Sequence, residues 1–425
     1  MPRPPATIPR MTSKPKKRRL RLWFIAAQVV GALFALQAAV LGVLTIAAAR
    51  RRRLRGDGGF PYFETQEVVV GGNQLKLYSY GQDLYDAMLE AIDAAREMIF
   101  VESFIWKGDA VGQKFKEHLA RKAAEGVEVY VIFDRFGNLV VPRAFKRFPP
   151  PIHVLEHWAL NRPWHMLDPR RYAVDHRKIL VVDGRLAFVG GYNIGSLYAT
   201  QWRDTHLRVA GPDAADFAQE FTDFWNRNVA RHRRISQRFP RRFESSLTLW
   251  TNDAVRLIFP IRDLYISAIE RAERRIFITN AYFMPDRVLM SALIDAARRG
   301  VDVQLLVPWQ SNHIAADWVT RGYFDTCLRA GIRVYGYLHY MIHAKTCTID
   351  GVWSTLGTAN LDRLSEIGNY EINVEIYDRM FAREMEAIFA ADKTNAFELT
   401  RERWEARPWY VKASEMLLSP LRPAL

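Results

Sequence analysis

The chain has 425 residues, with 60 lysines and arginines against 46 acidic residues, a formal net charge of +14 and a 49% hydrophobic composition. That apolar content excludes a disordered polyelectrolyte, and the length is ample for two packed domains. Two cysteines, Cys327 and Cys347, exclude a disulfide framework, and the positive excess calls for an acidic partner, either nucleic acid or an anionic lipid surface.

In chain order, residues 1–21 read as a basic tail. Leu22 to Ala49 carries no charge and exceeds the roughly 20 residues a helix needs to cross a bilayer. Ala47 to Ala49 resembles a signal-cleavage site, but the apolar run is far longer than the roughly 7–15 residues of a signal peptide. Arg50 to Arg53 follow at once, which favours an anchor, so a transmembrane helix is predicted over 22–49. Basic residues flank it almost evenly, so charge alone does not set its orientation. Lipid headgroups are the nearest anions to those residues, each worth about 1 kcal/mol near such a surface. No zinc finger or RNP-like motif is present, and lipid is therefore preferred to nucleic acid as the partner.

Beyond residue 60, helical and strand patterns alternate, and they do so twice. Asp83-Leu84-Tyr85 opens a helix that leads into an apolar strand over 99–105; Asp263-Leu264-Tyr265 opens another that leads into 276–283. A second helix in each half stops at a glycine, Gly126 or Gly300, just before strands over 127–133 and 301–307. Such alternation predicts α/β layers. The boundary is placed in the basic stretch 236–246, giving domains over 60–240 and 246–395 and a C-terminal extension over 396–425.

A doubled motif carries the chemistry. His176, Lys178, Asp183, Gly184, Gly190 and Asn193 recur 167 residues later as His343, Lys345, Asp350, Gly351, Gly357 and Asn360, and Asp204 recurs as Glu371. Each copy is an apolar run, an Asp-Gly pair and a second apolar run, a strong hairpin signal. A two-residue turn would set Lys178 opposite Val189 and His176 opposite Gly191, gathering His176, Lys178 and Asn193 on one face. The second copy would gather His343, Lys345 and Asn360. Glycines at 190, 191 and 357 leave room beside the histidine. An imidazole, an ammonium and a carboxamide at one point suit a phosphate, with a nucleophile or acid and donors for the non-bridging oxygens. Lysines inside apolar strands would be costly without such a partner. Asp204 and Glu371 are expected to orient the histidines, although which acid serves which is open at this stage. Asp183 and Asp350 are expected in support. Cys347 reads as a packed small residue, and no motif suggests a metal or other cofactor.

The doubled H-x-K-x4-D followed by G-G/T-x-N resembles the phospholipase D superfamily, over roughly residues 60–425. Trp202-Arg203-Asp204, Asn360-Leu361-Asp362-Arg363-Leu364-Ser365, Asn369-Tyr370-Glu371 and the later Trp404 and Arg407-Pro408 make it most similar to bacterial cardiolipin synthases. Thr358 stands where that family often has serine, and residues 147–172 are unusually rich in proline and tryptophan; there Trp158, Trp164 and Met166 either border lipid or simply pack. The resemblance implies two similar α/β halves packed face to face, with one active site at their interface. It implies catalytic His176, His343, Lys178, Lys345, Asp183, Asp350, Asp204 and Glu371, and substrate contacts from Asn193, Asn360, Gly191 and Thr358. It further implies an anionic phospholipid substrate, an inner-membrane location with the catalytic part on the cytoplasmic side, and phosphatidyl transfer through a phosphohistidine. A hydrolase of the same type and a nucleic-acid phosphodiesterase would share these residues; a binding module would have no need of two intact motifs.

Overall fold

The computed structural model describes residues 59–158, 160, 168, 172–239, 245–409 and 411–413, with isolated positions between 23 and 46. The predicted transmembrane segment 22–49 therefore lies largely outside the described residues, as do Trp164 and Met166. Among the described residues no helix is long and apolar enough to cross a membrane.

The first half runs β1 (Val68–Val70), β2 (Asn73–Tyr78), α1 (Gly81–Ala94), β3 (Met98–Ser103), α2 (Ala110–Ala124), β4 (Glu128–Asp134), β5 (His153–His157), β6 (Lys178–Val182), β7 (Leu186–Gly190), α3 (Ser196–Thr200), β8 (Trp202–Arg203), β9 (His206–Ala210) and α4 (Ala214–Asn228). The second runs β10 (Leu247–Asn252), α5 (Pro260–Glu270), β11 (Arg275–Asn280), α6 (Arg287–Arg298), β12 (Asp302–Pro308), α7 (Ile314–Arg329), β13 (Arg333–Tyr337), β14 (Met341–Ile342), β15 (Lys345–Ile349), β16 (Trp353–Gly357), α8 (Arg363–Ile367), β17 (Glu371–Tyr377), α9 (Arg379–Lys393), β18 (Ala396–Leu399) and α10 (Arg401–Glu405). Each half builds an eight-stranded sheet, in the orders β1-β2-β9-β7-β6-β3-β4-β5 and β10-β17-β16-β15-β11-β12-β13-β18. The mixed α/β fold of two similar halves is thus the one the sequence pattern predicts. Residues 396–399, expected in a separate extension, are instead the edge strand of the second sheet.

Local sequence explains the elements. Every residue of β3 and β6 is buried, because helices or the opposite half cover both faces of the sheet, and the strands are apolar from Met98 to Val101 and from Ile179 to Val182, with polar residues only at the ends that meet the site. Helix α2 starts where the Asp109 carboxylate accepts from Gly112 N at 3.1 Å, and stops before Gly126, whose φ of +95° an L side chain rarely adopts. Strand β3 is parallel to β4 but antiparallel to β6, and β11 is likewise parallel to β12 and antiparallel to β15. The ends of β3 and β11 therefore lie beside the starts of the motif strands, with Ser103 opposite Lys178 and Asn280 opposite Lys345, and the loops leaving them flank the motif.

The motif hairpins turn at Asp-Gly as expected, with Asp183, Gly184, Asp350 and Gly351 all at positive φ. Their register does not follow a two-residue loop. Ile179, not Lys178, faces Val189, and Val182 faces Leu186; in the second copy Ile349 faces Trp353. Arg185 and Val352 each take an extra position, because their carbonyls are claimed by Gly211 N and Asp378 N, both at 2.9 Å, from the neighbouring strand end.

The halves share one core. Val181, Phe221 and Phe224 of the first pack in the same apolar cluster as Ile372, Phe381 and Met385 of the second. Backbone pairing also crosses the interface twice: β14 lies parallel to β8, and Asp175 bridges Tyr370.

Candidate active site

Both crossings end at a motif histidine. His176 N donates to Tyr370 O at 3.0 Å, and His343 N donates to Arg203 O at 2.6 Å. The next residues along those two strands are Glu371 and Asp204, so each half delivers its acid to the other half's histidine. His176 Nδ1 sits 2.9 and 3.0 Å from the two Glu371 carboxylate oxygens, and His343 Nδ1 sits 2.6 Å from Asp204 Oδ2. All four side chains are buried. A carboxylate on Nδ1 fixes the tautomer and leaves Nε2 as the nitrogen available for chemistry.

The lysines fold back onto the same point. Lys178 Nζ donates to His176 O at 2.6 Å, and Lys345 Nζ donates to His343 O and lies 2.9 Å from His343 Nδ1. Charge from each half reaches the other. Lys345 acts on the imidazole of His176 as well as on that of His343, and Lys178 acts on His343. Burial, partly opposed by Glu371, lowers the pKa of His176, while burial and Lys345 push that of His343 down to about 3. Burial likewise brings Lys178 to about 7, against the pull of Glu371, and Lys345 to about 8, against Asp204 and Glu371. With no anion bound, burial disfavours charge on both imidazoles and both lysines, so the site gains by taking in an anion, whose charge would favour the imidazolium that an acid step needs.

A cavity of about 610 Å³ opens onto this cluster. His176, Asn360, Asp134 and Asp362 line it together with Phe104, Trp158, Tyr282, Met284 and Leu364. Asn360 is buried, and its Oδ1 has no hydrogen-bond partner among the described residues, which suits a ligand contact. Phe104 and Tyr282, the first residues past β3 and β11 to reach the site, set their rings 4.9 Å from the imidazole of His176 and 6.1 Å from that of His343. Sequence reading missed both, and Asp134. For Phe104 and Tyr282, the position just past two matching apolar strands was the available signal; Asp134 is the last residue of β4.

Five expected site groups do other work. The Asp183 carboxylate accepts from the backbone N of Arg96, Glu97 and Met98 at 2.8–2.9 Å, and Asp350 accepts from Glu273, Arg274 and Arg275 at 2.8–2.9 Å. Both carboxylates pin the hairpin tip to the start of the adjacent central strand, and neither lines the cavity. Gly191 makes room for Asp204 rather than for a substrate; a Cβ there would lie 2.0 Å from Asp204 Oδ1. Thr358, at the equivalent position, gives its hydroxyl to Glu371 Oε2 at 2.5 Å and is fully buried. Asn193 Oδ1 accepts from Ile105 N at 3.1 Å, which holds the loop after β3.

This geometry matches a known family. A model described as cardiolipin synthase, PLD-like domain, matches residues 88–225 and 265–393, one stretch in each half. The chain belongs to that family. Cardiolipin synthase A of Pseudomonas putida strain GB-1 is 34% identical over 346 residues, covering 78% of this chain and 71% of the relative. Cardiolipin synthase of Listeria monocytogenes serotype 4b strain CLIP80459 is 29% identical over 374 residues, covering 84% and 77%. Among solved structures, phosphatidylserine synthase of Haemophilus influenzae Rd KW20 shares the fold with a TM-score of 0.62 at 15% identity, over 86% of this chain and 95% of that one. The chain is accordingly a phosphatidyltransferase of the phospholipase D superfamily, similar to cardiolipin synthases.

Proposed function

We propose that this enzyme joins two phosphatidylglycerols into cardiolipin through a phosphohistidine, anchored in the membrane by residues 22–49 with its catalytic halves on the cytoplasmic side. The observation that carries the mechanism is the crossed pairing: two buried histidines, each held at Nδ1 by the other half's carboxylate and each beside its own lysine, with a cavity that opens at His176. Nε2 of one histidine attacks the phosphorus, and the P–O bond to the glycerol headgroup breaks as the other histidine protonates that oxygen. Free glycerol leaves, and a phosphatidyl group remains on nitrogen. The second histidine, now neutral, takes the proton of a headgroup hydroxyl on a second phosphatidylglycerol. The resulting oxygen attacks phosphorus, the P–N bond breaks, and cardiolipin departs. Two displacements give net retention at phosphorus and allow the acceptor to be exchanged midway. Lys178 and Lys345 stabilise charge on the non-bridging oxygens, with Asn360 reaching the substrate from the cavity wall. The aromatic lining keeps water from the second step.

Labelled phosphatidylglycerol turned over by the purified chain in mixed micelles tests the reading. Cardiolipin and free glycerol, lost in His343→Ala, are the expected products. Phosphatidic acid alone would make the enzyme a hydrolase, and turnover of nucleic acid in place of lipid would overturn the substrate class.

A further inference from the structure

The mouth of the active-site cavity is ringed by apolar side chains that face solvent. Phe136 and Leu364, on its two lips, are each 58% exposed. The patch extends outward in both halves. Beside Phe136, the turn after β4 presents Leu139 at 60% and Val140 at 82% exposure; beside Leu364, α8 presents Ile367 next to Leu257. Large apolar groups so exposed and so gathered mark an interaction surface rather than ordinary surface chemistry. Cations are interleaved with them: Arg135, Arg143, Arg256 and Arg363 are all exposed within a few residues of the patch. The acids nearby are Asp253, which pairs with Arg256 at 3.7 Å, exposed Asp263, and Asp286, which lines the same hollow as Leu257 and Ile367 and pairs with Arg262 at 2.5 Å.

We infer that this rim is a bilayer-docking surface, with the turn 136–143 and the 256–258/α8 edge entering the headgroup region of an anionic membrane and the cavity mouth set flush against it. The inference rests on the phosphatidyltransferase reading, and it adds which face of the molecule meets the lipid. The physical argument is continuity. A phospholipid whose phosphorus must reach His176 has to keep its acyl chains out of water on the way, and the cavity is lined by Phe104, Trp158, Met284 and Leu364 up to the exposed Phe136 and Leu364 at its edge. Only an apolar phase pressed against that edge provides an unbroken path. Apolar groups with arginines among them match the interface of an anionic leaflet, where the first bury at the acyl boundary and the second meet headgroup phosphates. A protein partner would need no such continuity with the cavity.

The test separates docking from catalysis and from the separate N-terminal segment. Both native cysteines are fully buried, so a cysteine placed by Val140→Cys accepts a polarity-sensitive dye selectively. The reference is Val69→Cys, on β1 at the opposite edge of the first sheet and 67% exposed. In the full chain reconstituted into phosphatidylglycerol-containing vesicles, emission at 140 is expected to shift to the blue and to be quenched by lipids brominated in their chains. Emission at 69 is expected to do neither. A dye at 140 that stays as wet as one at 69 overturns the inference, as does drying at 140 that needs an added protein extract rather than lipid. In parallel, the double variant Val140→Asp/Leu257→Asp should lower turnover on vesicles about tenfold and leave turnover of a dispersed short-chain phospholipid within about twofold. Equal losses on both would overturn docking as the cause. Failure of the unaltered chain on the short-chain substrate would count against the enzymatic reading alone, with the dye result still deciding the surface.

Discussion

The two halves hold their histidines with the same backbone device and different side chains. In the first half, His176 is followed by Arg177, a buried guanidinium that donates to Glu102 and Asp175 and lies 4.1 Å over the ring of Phe224. The second half has Ala344, Thr279 and Ile342 at the corresponding places, all buried and none charged. The crossings differ in the opposite sense. Where the first half's β8 meets α9, Arg203 grips Asp392 through two bonds of 2.8 Å. At the equivalent junction Tyr370 packs edge-on to Phe224, with ring centres 5.0 Å apart. The orienting acids differ as well: Asp204 is seated against Gly191 and held by Thr205 N at 2.8 Å, while the longer Glu371 is held by the Thr358 hydroxyl. After duplication, the histidines, the lysines and the turn aspartates stayed alike; what diverged is how each histidine is braced. Neither half contains the acid its own histidine needs, so the site exists only when both are folded together.

The largest effects should come from the crossed pairs. His176→Ala and His343→Ala should each lower turnover by about 10³-fold or more. Glu371→Gln and Asp204→Asn should cost about 10²–10⁴-fold. Because each acid acts through the opposite histidine, adding Glu371→Gln to His176→Ala should cost little further, and adding Asp204→Asn to His343→Ala likewise. Double-variant kinetics pairing each acid with each histidine check this, and a cycle that couples Glu371 to His343 instead would break the crossed assignment.

Next in size is the ionic junction. Asp392→Ala leaves a buried guanidinium unpaired and should destabilise the chain by about 3–5 kcal/mol, whereas Arg203→Met with Asp392→Leu should recover much of that loss. Urea unfolding of the single and double variants measures the difference, and an equally large loss in the double variant would mean that the pair contributes through more than its charge.

The lysines predict a pH dependence that both halves share. Their ordinary pKa lies near 10.4, and in the free enzyme burial holds Lys178 at about 7 and Lys345 at about 8. Between those values the unfolded chain binds more protons than the folded one, so these two groups make the free protein more stable as pH rises from about 7 towards 10. A bound phosphate restores their charge. Inorganic phosphate should therefore bind with proton uptake at pH 8, and more weakly as pH climbs to 9, as titration calorimetry in buffers of different ionisation enthalpy would report. Proton release would place the anion away from the lysines.

The smallest effect on chemistry should come from the motif aspartates. Asp183→Ala and Asp350→Ala each strand three backbone N–H groups at a hairpin tip, and should lower stability by about 1–3 kcal/mol while leaving turnover per folded molecule nearly unchanged. A loss of turnover comparable to that of the histidine variants would return them to the reacting centre.

By itself the sequence determined the periodic elements, the duplication and the chemical types at the site, because these are properties of spacing along one chain. Alternating apolar runs, glycine stops and Asp-Gly turns are local signals, and a repeated His, Lys and Asn needs no contact map to be noticed. The local signal failed where a neighbouring strand intervened. Gly211 and Asp378 drew Arg185 and Val352 out of the hairpin register, and the space at Gly191 went to Asp204. The acid–histidine pairing, the fully buried role of Thr358 and the cavity lined by Phe104, Asp134 and Tyr282 were decided only by the tertiary structure. Each depends on two segments, some of them from opposite halves, meeting at hydrogen-bond distance, and that meeting is set by how the two sheets pack on one shared core rather than by the residues on either side of them in the chain.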